Sequence, residues 1–227
     1  MHARVIGVRN ERFIVLDSTV FYPQGGGQPG DTGTLKHNAE TYRVLGTTKI
    51  EGEILHEVDR EGIQEGDEVA GTIDWETRYA HMRYHTAAHV LSAVFHTQAG
   101  ALITGNQISA QKLRIDFSLD DYDPARMQHY IDEANRLLAQ SAPVHARTIA
   151  REEALKLPGV VKLAGALPPN IPALRILTIG DENTSIIDEQ ADGGTHVRNT
   201  REVGRIVFVS SENKGKNNRR VVVQLTP

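Results

Sequence analysis

Two short segments of this chain, far apart in sequence, each carry a pair of potential metal ligands at a spacing of four residues. The first pair is His85 and His89, and the second is Asp192 and His196. On an α-helix, residues i and i+4 lie on one face, so two imidazoles at that spacing can converge on one ion. Together the two pairs could supply the complete protein shell of a zinc ion. A chain that uses both pairs must fold so that the two segments meet.

The segment around the first pair has the periodicity of an amphipathic helix, whose apolar face would be Ala87, Ala88, Leu91, Val94 and Phe95. The histidines are expected on a different stripe of this helix. Thr86 occupies the position at which zinc proteases carry a general-base Glu, so the zinc-protease motif is absent. The alternative to a metal site is a polar stripe on a half-exposed helix, formed by His81, His85, His89 and His96.

The segment around the second pair is expected to be a loop. Ile186–Asp188 is a short apolar run that ends in an acid, and Gly193 and Gly194 permit a tight turn. Such a turn would carry Asp192 and His196 towards one point. An ordinary Asp-Gly turn with a surface histidine is the alternative. The occurrence of two independent ligand pairs in one chain favours the metal site.

Composition restricts the class of protein. The chain has no Cys, which excludes disulfide bonds and thiolate ligands, and it has no apolar run of the ~18 residues that a membrane-spanning helix needs. Its N-terminus lacks the apolar core of a signal peptide. The net charge of −4 argues against a tight, non-specific nucleic-acid binder, although a local basic patch is compatible with it. We therefore expect a cytoplasmic protein with no membrane partner and no DNA partner.

The first part of the chain is expected to form a small β-barrel, because short β-prone runs alternate there with Gly, Pro, Asn and Asp. These runs are Ala3–Val8, Arg12–Leu16, Tyr42–Leu45, Ile54–Val58 and Glu68–Trp75. The remainder mixes helices and strands, which is typical of an α+β architecture. We place the boundary between Trp75 and Arg78 and expect two domains, residues 1–77 and 78–227.

The second part contains recognisable helix and strand signals. Asp123 is the expected N-cap of a helix with Pro124 at its first position, and this helix should end before Pro143. Four strands are predicted, the last two of them paired as a hairpin: Leu113–Phe117, Leu174–Ile179, Arg205–Ser210 and Arg220–Leu225.

Five stretches follow one another in a distinctive order: Phe21–Asp31, His81–His89, Leu113–Phe117, Ile179–Asp181 and Gly193–Val197. In this order they resemble the AlaX proteins, which are free-standing relatives of the editing domain of alanyl-tRNA synthetase. The resemblance is to the medium-length type and covers nearly the whole chain. The combination of the five stretches is highly specific, although no single stretch is. It implies a small N-terminal β-barrel followed by an α+β editing domain of the kind shared by alanyl- and threonyl-tRNA synthetases.

The resemblance also implies an activity and a cofactor. The implied activity is that of an aminoacyl-tRNA deacylase acting on tRNA(Ala) mischarged with serine, with glycine as a second candidate. One zinc ion per chain is implied, with His85, His89 and His196 at the positions of the family's zinc-binding histidines. The fourth family ligand is a cysteine, and Asp192 stands in its place; a carboxylate is an acceptable but harder ligand than a thiolate. No catalytic residue is assigned, and a water on the metal is the candidate nucleophile.

Two groups of residues are candidates for contact with the acylated end of the substrate. Glycines let backbone N–H groups approach a ligand closely, which makes the first group Gly25, Gly26, Gly27 and Gln28. A plain tight turn is the alternative for these residues. A pocket that spares alanine must hydrogen-bond the seryl hydroxyl, and the candidates for that contact are Thr104 and Asn106, each of which could instead be an ordinary loop residue.

Basic residues are candidates for contact with tRNA phosphates. Two lie near the proposed metal helix and four near the C-terminus: Arg78, Arg83, Lys214, Lys216, Arg219 and Arg220. The alternative for the C-terminal four is a solvated hairpin tip.

Two other functions stay open from the sequence. One is a zinc-stabilised RNA-binding module without catalysis, which the departure at Asp192 supports. The other is a metal-dependent hydrolase of small esters or amides, although the missing Glu after His85 argues against its protease form. The oligomeric state is not set by the sequence.

Overall fold

The computed structural model describes residues 1–119, 123–157, 160, 171–181 and 185–227. The chain divides into two compact units, Met1–Ala80 and His81–Pro227. The first contains a closed β-barrel and the second combines sheets with helices, which confirms the predicted fold class, a small β-barrel followed by an α+β domain. The predicted domain limits, 1–77 and 78–227, stay a prediction, because a division by packing does not test which segments fold alone.

The barrel consists of six antiparallel strands in the order β1-β2-β5-β4-β3-β6. Alternate residues of β1 are buried, as expected for a strand with one face on the core. The sequence does not predict strand β3, because Leu35 is its one large apolar residue; that side chain is nevertheless fully buried. The strands are β1 His2–Arg9, β2 Phe13–Leu16, β3 Gly33–His37, β4 Glu40–Ile50, β5 Glu53–Val58 and β6 Glu68–Ile73.

The last barrel strand is shorter than predicted. The expected strand Glu68–Trp75 ends at Ile73, and Trp75 is instead the first residue of helix α1, Trp75–Ala99. Asp74 explains the difference, since its carboxylate accepts hydrogen bonds from the backbone N–H of Thr77 at 3.2 Å and from the Thr77 hydroxyl at 2.8 Å. An aspartate in that arrangement is an N-cap, which starts a helix.

In the second unit, helix α1 is buried on all sides over residues 84–95. Phe95 stacks on Phe117 with ring centroids 4.0 Å apart and contacts Tyr130 at 4.8 Å. The Tyr84 hydroxyl donates a hydrogen bond to the backbone carbonyl of Gln111 at 2.6 Å. The expectation that the histidines lie apart from the buried face is therefore wrong. His85 and His89 are in the core because neighbouring elements cover the whole helix and not only its apolar stripe.

Two antiparallel sheets accompany α1, in the orders β12-β13-β8-β7 and β11-β10-β9. The four predicted strands are confirmed, and the apolar run Ile186–Asp188 belongs to a further strand that pairs with β10. Residues 192–196, expected to be a loop, lie outside the strands and helices. The strands are β7 Ile103–Ile108, β8 Leu113–Phe117, β9 Val144–Ala150, β10 Ala173–Asp181, β11 Ser185–Ala191, β12 Arg205–Asn213 and β13 Arg219–Thr226.

In the described part of the second unit, three further helical segments follow α1. They are α2 Pro124–Leu138, the single turn α3 Arg151–Ala154 and a 3₁₀ turn Thr200–Val203. Asp123 caps α2 as predicted, since its carboxylate accepts a hydrogen bond from the backbone N–H of Ala125 at 2.9 Å. Among the described residues, no helix is both long enough and apolar enough to cross a membrane.

Candidate metal centre

The fold brings the two predicted ligand pairs together. His85, His89, Asp192 and His196 each offer one potential ligand atom, and these atoms all lie within 4.8 Å of one another. The Asp192 Oδ1 lies 3.5 Å from the Nε2 of His85 and 3.8 Å from the Nε2 of His89. Its Oδ2 lies 3.0 Å from the Nε2 of His196. The three imidazoles and one carboxylate therefore surround a common centre.

These distances suit a small divalent ion. Nitrogen and oxygen ligands at ~2.1 Å from a tetrahedral zinc ion lie ~3.4 Å from one another. The separations between the carboxylate oxygens and the imidazole nitrogens span that value. The donor set of three nitrogens and one oxygen fits zinc and does not exclude harder ions.

Hydrogen bonds behind the ligands hold two of the rings in a ligand-ready orientation. The Nδ1 of His89 lies 2.8 Å from Oδ2 of the buried Asp188, so that nitrogen carries the proton and Nε2 faces the centre. The Thr86 hydroxyl donates to the Met82 carbonyl at 3.0 Å and lies 3.2 Å from Nδ1 of His196. Because its one proton is used, the Thr86 oxygen accepts from His196. In both rings Nε2 is left for a metal.

The loop that carries Asp192 is held from two sides. Its Oδ2 accepts a 2.6 Å hydrogen bond from the backbone N–H of Gly194. The Nη1 of Arg175, on β10, donates to the backbone carbonyls of Asp192 at 3.0 Å and of Gly194 at 3.1 Å. These contacts hold the carboxylate towards the histidines.

The charges of the cluster are unequal. Burial holds the pKa of His85 well below 6.5 and lowers the pKa of His196 to about 4. Burial also opposes protonation of His89, but hydrogen bonds to Asp188 and Asp192 outweigh it and raise the pKa of that ring to about 9. For Asp192, burial favours the neutral acid, yet its contacts with His196 and His89 place its pKa far below 3.8. A metal that enters must displace the proton of His89, whereas the other two rings are already neutral.

Gly194 is adjacent to the ring of His85. A Cβ at position 194 would overlap with the Cε1 and Nδ1 atoms of that ring, so the glycine is required by space. At Gly193, by contrast, a Cβ would meet no atom within 4 Å. The two neighbouring glycines thus form a matched pair for a test of the site.

We expect Gly194→Ala to lower zinc affinity by about 10- to 100-fold, the usual cost of disturbing residues behind metal ligands. The physical reason is that the new methyl group must push the ring of His85 or the Asp192 loop out of place. Competition with a chromogenic chelator measures the affinity. Gly193→Ala is the control and should bind zinc like the unchanged protein; equal affinity in both variants would contradict the steric requirement for glycine at position 194.

The residues behind the ligands are not identifiable from the sequence. The sequence marks Asp188 only as the end of an apolar run, yet it is 1% exposed and also accepts a 2.8 Å hydrogen bond from the side chain of Gln190. The sequence gives no clear signal for this role, because Asp188 is followed directly by the polar residues Glu189 and Gln190 in its strand. The sequence around Arg175 likewise does not predict its contact with the loop that carries Asp192.

The glycine-rich segment, in the first unit, forms a two-residue turn. Gly25 and Gln28 exchange two backbone hydrogen bonds of 3.1 and 2.9 Å, and Gly26 and Gly27 have φ angles of 59° and 82°. Two consecutive positive φ angles are typical of a type I′ turn and favour glycine. Gly26 and Gly27 are exposed, while Gln28 is fully buried. Substrate contact by this segment stays a prediction.

The two candidates for hydroxyl recognition lie on β7. The Thr104 hydroxyl donates a 2.9 Å hydrogen bond to the Asn218 side chain. The Oδ1 of Asn106 is buried and has no hydrogen-bond partner among the described residues. Thr104 is therefore engaged within the fold, and Asn106 keeps an open acceptor.

Five of the six basic candidates are engaged in contacts of the fold. Arg78 forms an ion pair with Asp31, and Arg83 donates to the Val203 carbonyl at 2.7 Å. Arg219 is only 6% exposed and its Nη1 bonds three oxygens of the hairpin turn. Arg220 pairs with Asp116 through two 2.8 Å hydrogen bonds, which lower the pKa of that carboxyl. The exposed cations of the hairpin tip are Lys214, which lies 3.5 Å from a carboxylate oxygen of Glu212, and Lys216.

Comparisons with known proteins match both parts of the chain. Residues 2–77 match the family tRNA synthetases class II (A), and residues 174–222 match the threonyl and alanyl tRNA synthetase second additional domain. The chain is 44% identical over 230 residues to the alanyl-tRNA editing protein AlaX-M of Methanosarcina barkeri, with 98% of this chain and 93% of that protein covered. Identity to the AlaX-M protein of Saccharolobus solfataricus is 42% over 227 residues, covering 99% and 93%.

A longer relative shows a similar stretch. The alanine–tRNA ligase of Pyrobaculum neutrophilum is 38% identical over 207 residues, which cover 90% of this chain and 23% of the ligase. The second matched family range includes the loop that carries Asp192 and His196.

Proposed function

Because this chain belongs to the AlaX-M family of alanyl-tRNA editing proteins, we propose that it hydrolyses the ester of tRNA(Ala) mischarged with serine, with glycine as a second acyl group. The observation that carries the proposal is the buried cluster of His85, His89, Asp192 and His196. Three imidazoles and a carboxylate around one point suit a metal ion, and zinc, one per chain, is the proposed cofactor.

Hydrolysis of the ester needs an activated water, stabilisation of the developing oxyanion and a positioned ribose. A bound zinc ion supplies polarisation of the ester carbonyl or of the attacking water. The chain contributes the geometry: Asp188 and Thr86 orient two imidazoles, and the Gly194 N–H orients the carboxylate of Asp192. The histidine side chains are at most 8% exposed, so the cluster also limits access of bulk water.

Discrimination against alanine rests on the seryl hydroxyl. A site built to hydrogen-bond a hydroxyl rejects the analogue that lacks it far more strongly than an apolar pocket rejects an extra hydroxyl. The unpartnered Oδ1 of Asn106 supports this residue as an acceptor for the hydroxyl. Thr104 would have to release Asn218 before it could take part.

The test of the function is the rate at which pure protein releases amino acid from seryl-, glycyl- and alanyl-tRNA(Ala). We expect serine release to exceed both spontaneous hydrolysis and alanine release, because the seryl ester offers a hydroxyl that the alanyl ester lacks. Glycine also lacks a hydroxyl, so glycine release measures the turnover that does not depend on this contact. Free seryl esters and amides serve as comparison substrates. Tight tRNA binding with no hydrolysis would favour the non-catalytic RNA-binding module. Equal turnover of small esters would favour a general hydrolase.

Contact with the tRNA body is proposed for the second unit. The first unit has eight Lys and Arg against fourteen Asp and Glu, whereas the second has seventeen against fifteen. Phosphates are attracted to the less acidic unit. Within it, Lys214 and Lys216 are exposed at the hairpin tip and remain the strongest of the six basic candidates.

We expect Lys214→Gln with Lys216→Gln to flatten the slope of log affinity against log salt by about 1 for each phosphate that the variant no longer neutralises. Filter binding of tRNA(Ala) across a salt series measures this slope. The matched control is Lys36→Gln with Lys49→Gln, two exposed lysines of the acidic first unit. A slope unchanged by the hairpin variant would show that the tip is only a solvated surface.

A further inference from the structure

Arg175 borders the metal cluster but is not a ligand. Its Nη1 holds the backbone carbonyls of Asp192 and Gly194 and lies 3.7 Å from Oδ2 of Asp192. The backbone carbonyl of Arg175 also accepts a 3.0 Å hydrogen bond from the Asp192 N–H. Two hydrogen bonds from Nη1 hold the guanidinium beside the cluster, and the backbone of Arg175 is tied to the same loop.

Exposure increases from the histidines outwards to this arginine. The histidine side chains are nearly buried, Asp192 is 14% exposed, and Arg175 is 39% exposed. Arg175 is thus the most exposed of these charged groups. A substrate that approaches the cluster on the side of Arg175 would meet this cation before the histidines.

Part of the guanidinium is unused. An arginine offers five N–H donors, and among the described residues the guanidinium of Arg175 donates its hydrogen bonds through Nη1. The loop needs only Nη1 as its clamp. The remaining donors, on Nε and Nη2, are therefore open to an anionic ligand from outside.

We propose that Arg175 binds the phosphate of the terminal nucleotide of the acylated RNA and so positions the ester over the metal cluster. This inference rests on the proposed function, because hydrolysis of the ester requires a contact that positions the acylated end of the RNA. The ester and the 5′-phosphate belong to one nucleotide, so a cation beside the hydrolytic centre is placed to meet that phosphate. Arginine suits this contact because its planar donors match phosphate oxygens.

Binding of a non-hydrolysable ligand tests the contact without relying on activity. The probe is an acceptor-stem RNA minihelix that carries a 3′-seryl amide, and a second minihelix has a neutral methylphosphonate at its last internucleotide linkage. For the unchanged protein, we expect the neutral linkage to weaken binding by about 10- to 100-fold, the scale of a charge-assisted hydrogen bond.

The variant Arg175→Gln completes a double-mutant cycle. The variant should bind the natural minihelix as weakly as the unchanged protein binds the minihelix with the neutral linkage. Its affinity for the two minihelices should be equal, because the phosphate charge no longer has a partner. Arg175→Lys should restore part of the difference, because the charge is kept. Zinc affinity of each variant is measured in parallel, since a role limited to clamping the loop would lower zinc affinity and leave no coupling to the phosphate.

The outcomes separate two failures. Absence of coupling between Arg175 and the linkage overturns the phosphate contact, even if serine release from Ser-tRNA(Ala) is observed. Should the unchanged protein bind both minihelices equally, the contact is overturned without any variant. Failure of the proposed function is seen independently, as absence of serine release.

Discussion

Replacing His89 by alanine is expected to abolish zinc binding and serine release from Ser-tRNA(Ala). The change removes one ligand atom and leaves the buried Asp188 without the imidazole to which it is hydrogen-bonded. Loss of a residue that orients a ligand lowers metal affinity by roughly 10- to 100-fold, and loss of the ligand itself should lower zinc affinity further. Polarisation by a metal is worth several kcal/mol, so the hydrolysis rate should fall by at least about a thousandfold.

The matched control for this variant is His145→Ala. His145 is an exposed histidine of β9, so its loss changes the same side chain without touching the cluster. Zinc content by elemental analysis and single-turnover serine release are measured for both variants. A His89→Ala protein that keeps its zinc and its rate would show that the cluster is not the metal site.

Substitution of Asp192 should change metal preference more than it changes the fold. Asp192→Cys is expected to tighten zinc binding relative to harder ions and to retain serine release, because a thiolate is a softer ligand than a carboxylate. Asp192→Ala should weaken zinc binding, since it removes both a ligand and the acceptor of the Gly194 N–H. Three histidines would still hold some metal.

Asp192→Asn is the matched control for charge. It keeps an oxygen that can accept the Gly194 N–H and removes the negative charge that faces the three rings. Competitive titration of zinc against magnesium or manganese ranks the variants. If Asp192→Ala binds zinc as tightly as the unchanged protein does, Asp192 is not a ligand and the site is a centre of three histidines.

The ligand pairs are readable from the sequence because each pair is local. A helix is enough to place His85 and His89 on one side, and a locally folded loop is enough to bring Asp192 close to His196. The burial of the helix is not readable, because it depends on elements that cover α1 from every side. The periodicity of apolar residues predicts that one stripe of the helix is buried. It does not predict that the polar face is buried as well.

The supporting residues depend on tertiary pairing and escape sequence reasoning for that reason. Asp188 reaches His89 only because β11 pairs with β10, and strand β11 is not predicted from the sequence. From the sequence, Arg220 is predicted to be one of the basic residues of the hairpin that contact phosphates. The register of β13 with β8 instead places it opposite Asp116. The requirement for glycine at position 194 comes from the ring of His85, which is distant in sequence.

Serine release from Ser-tRNA(Ala) during a zinc titration of chelator-treated protein tests most directly whether hydrolysis takes place at the cluster of His85, His89, Asp192 and His196. If it does, the rate should be near background without metal, because no ion is then present to polarise the ester or the water. The rate should rise in proportion to bound zinc and reach a plateau at one ion per chain. A full rate in metal-free protein would contradict the assignment of hydrolysis to this cluster.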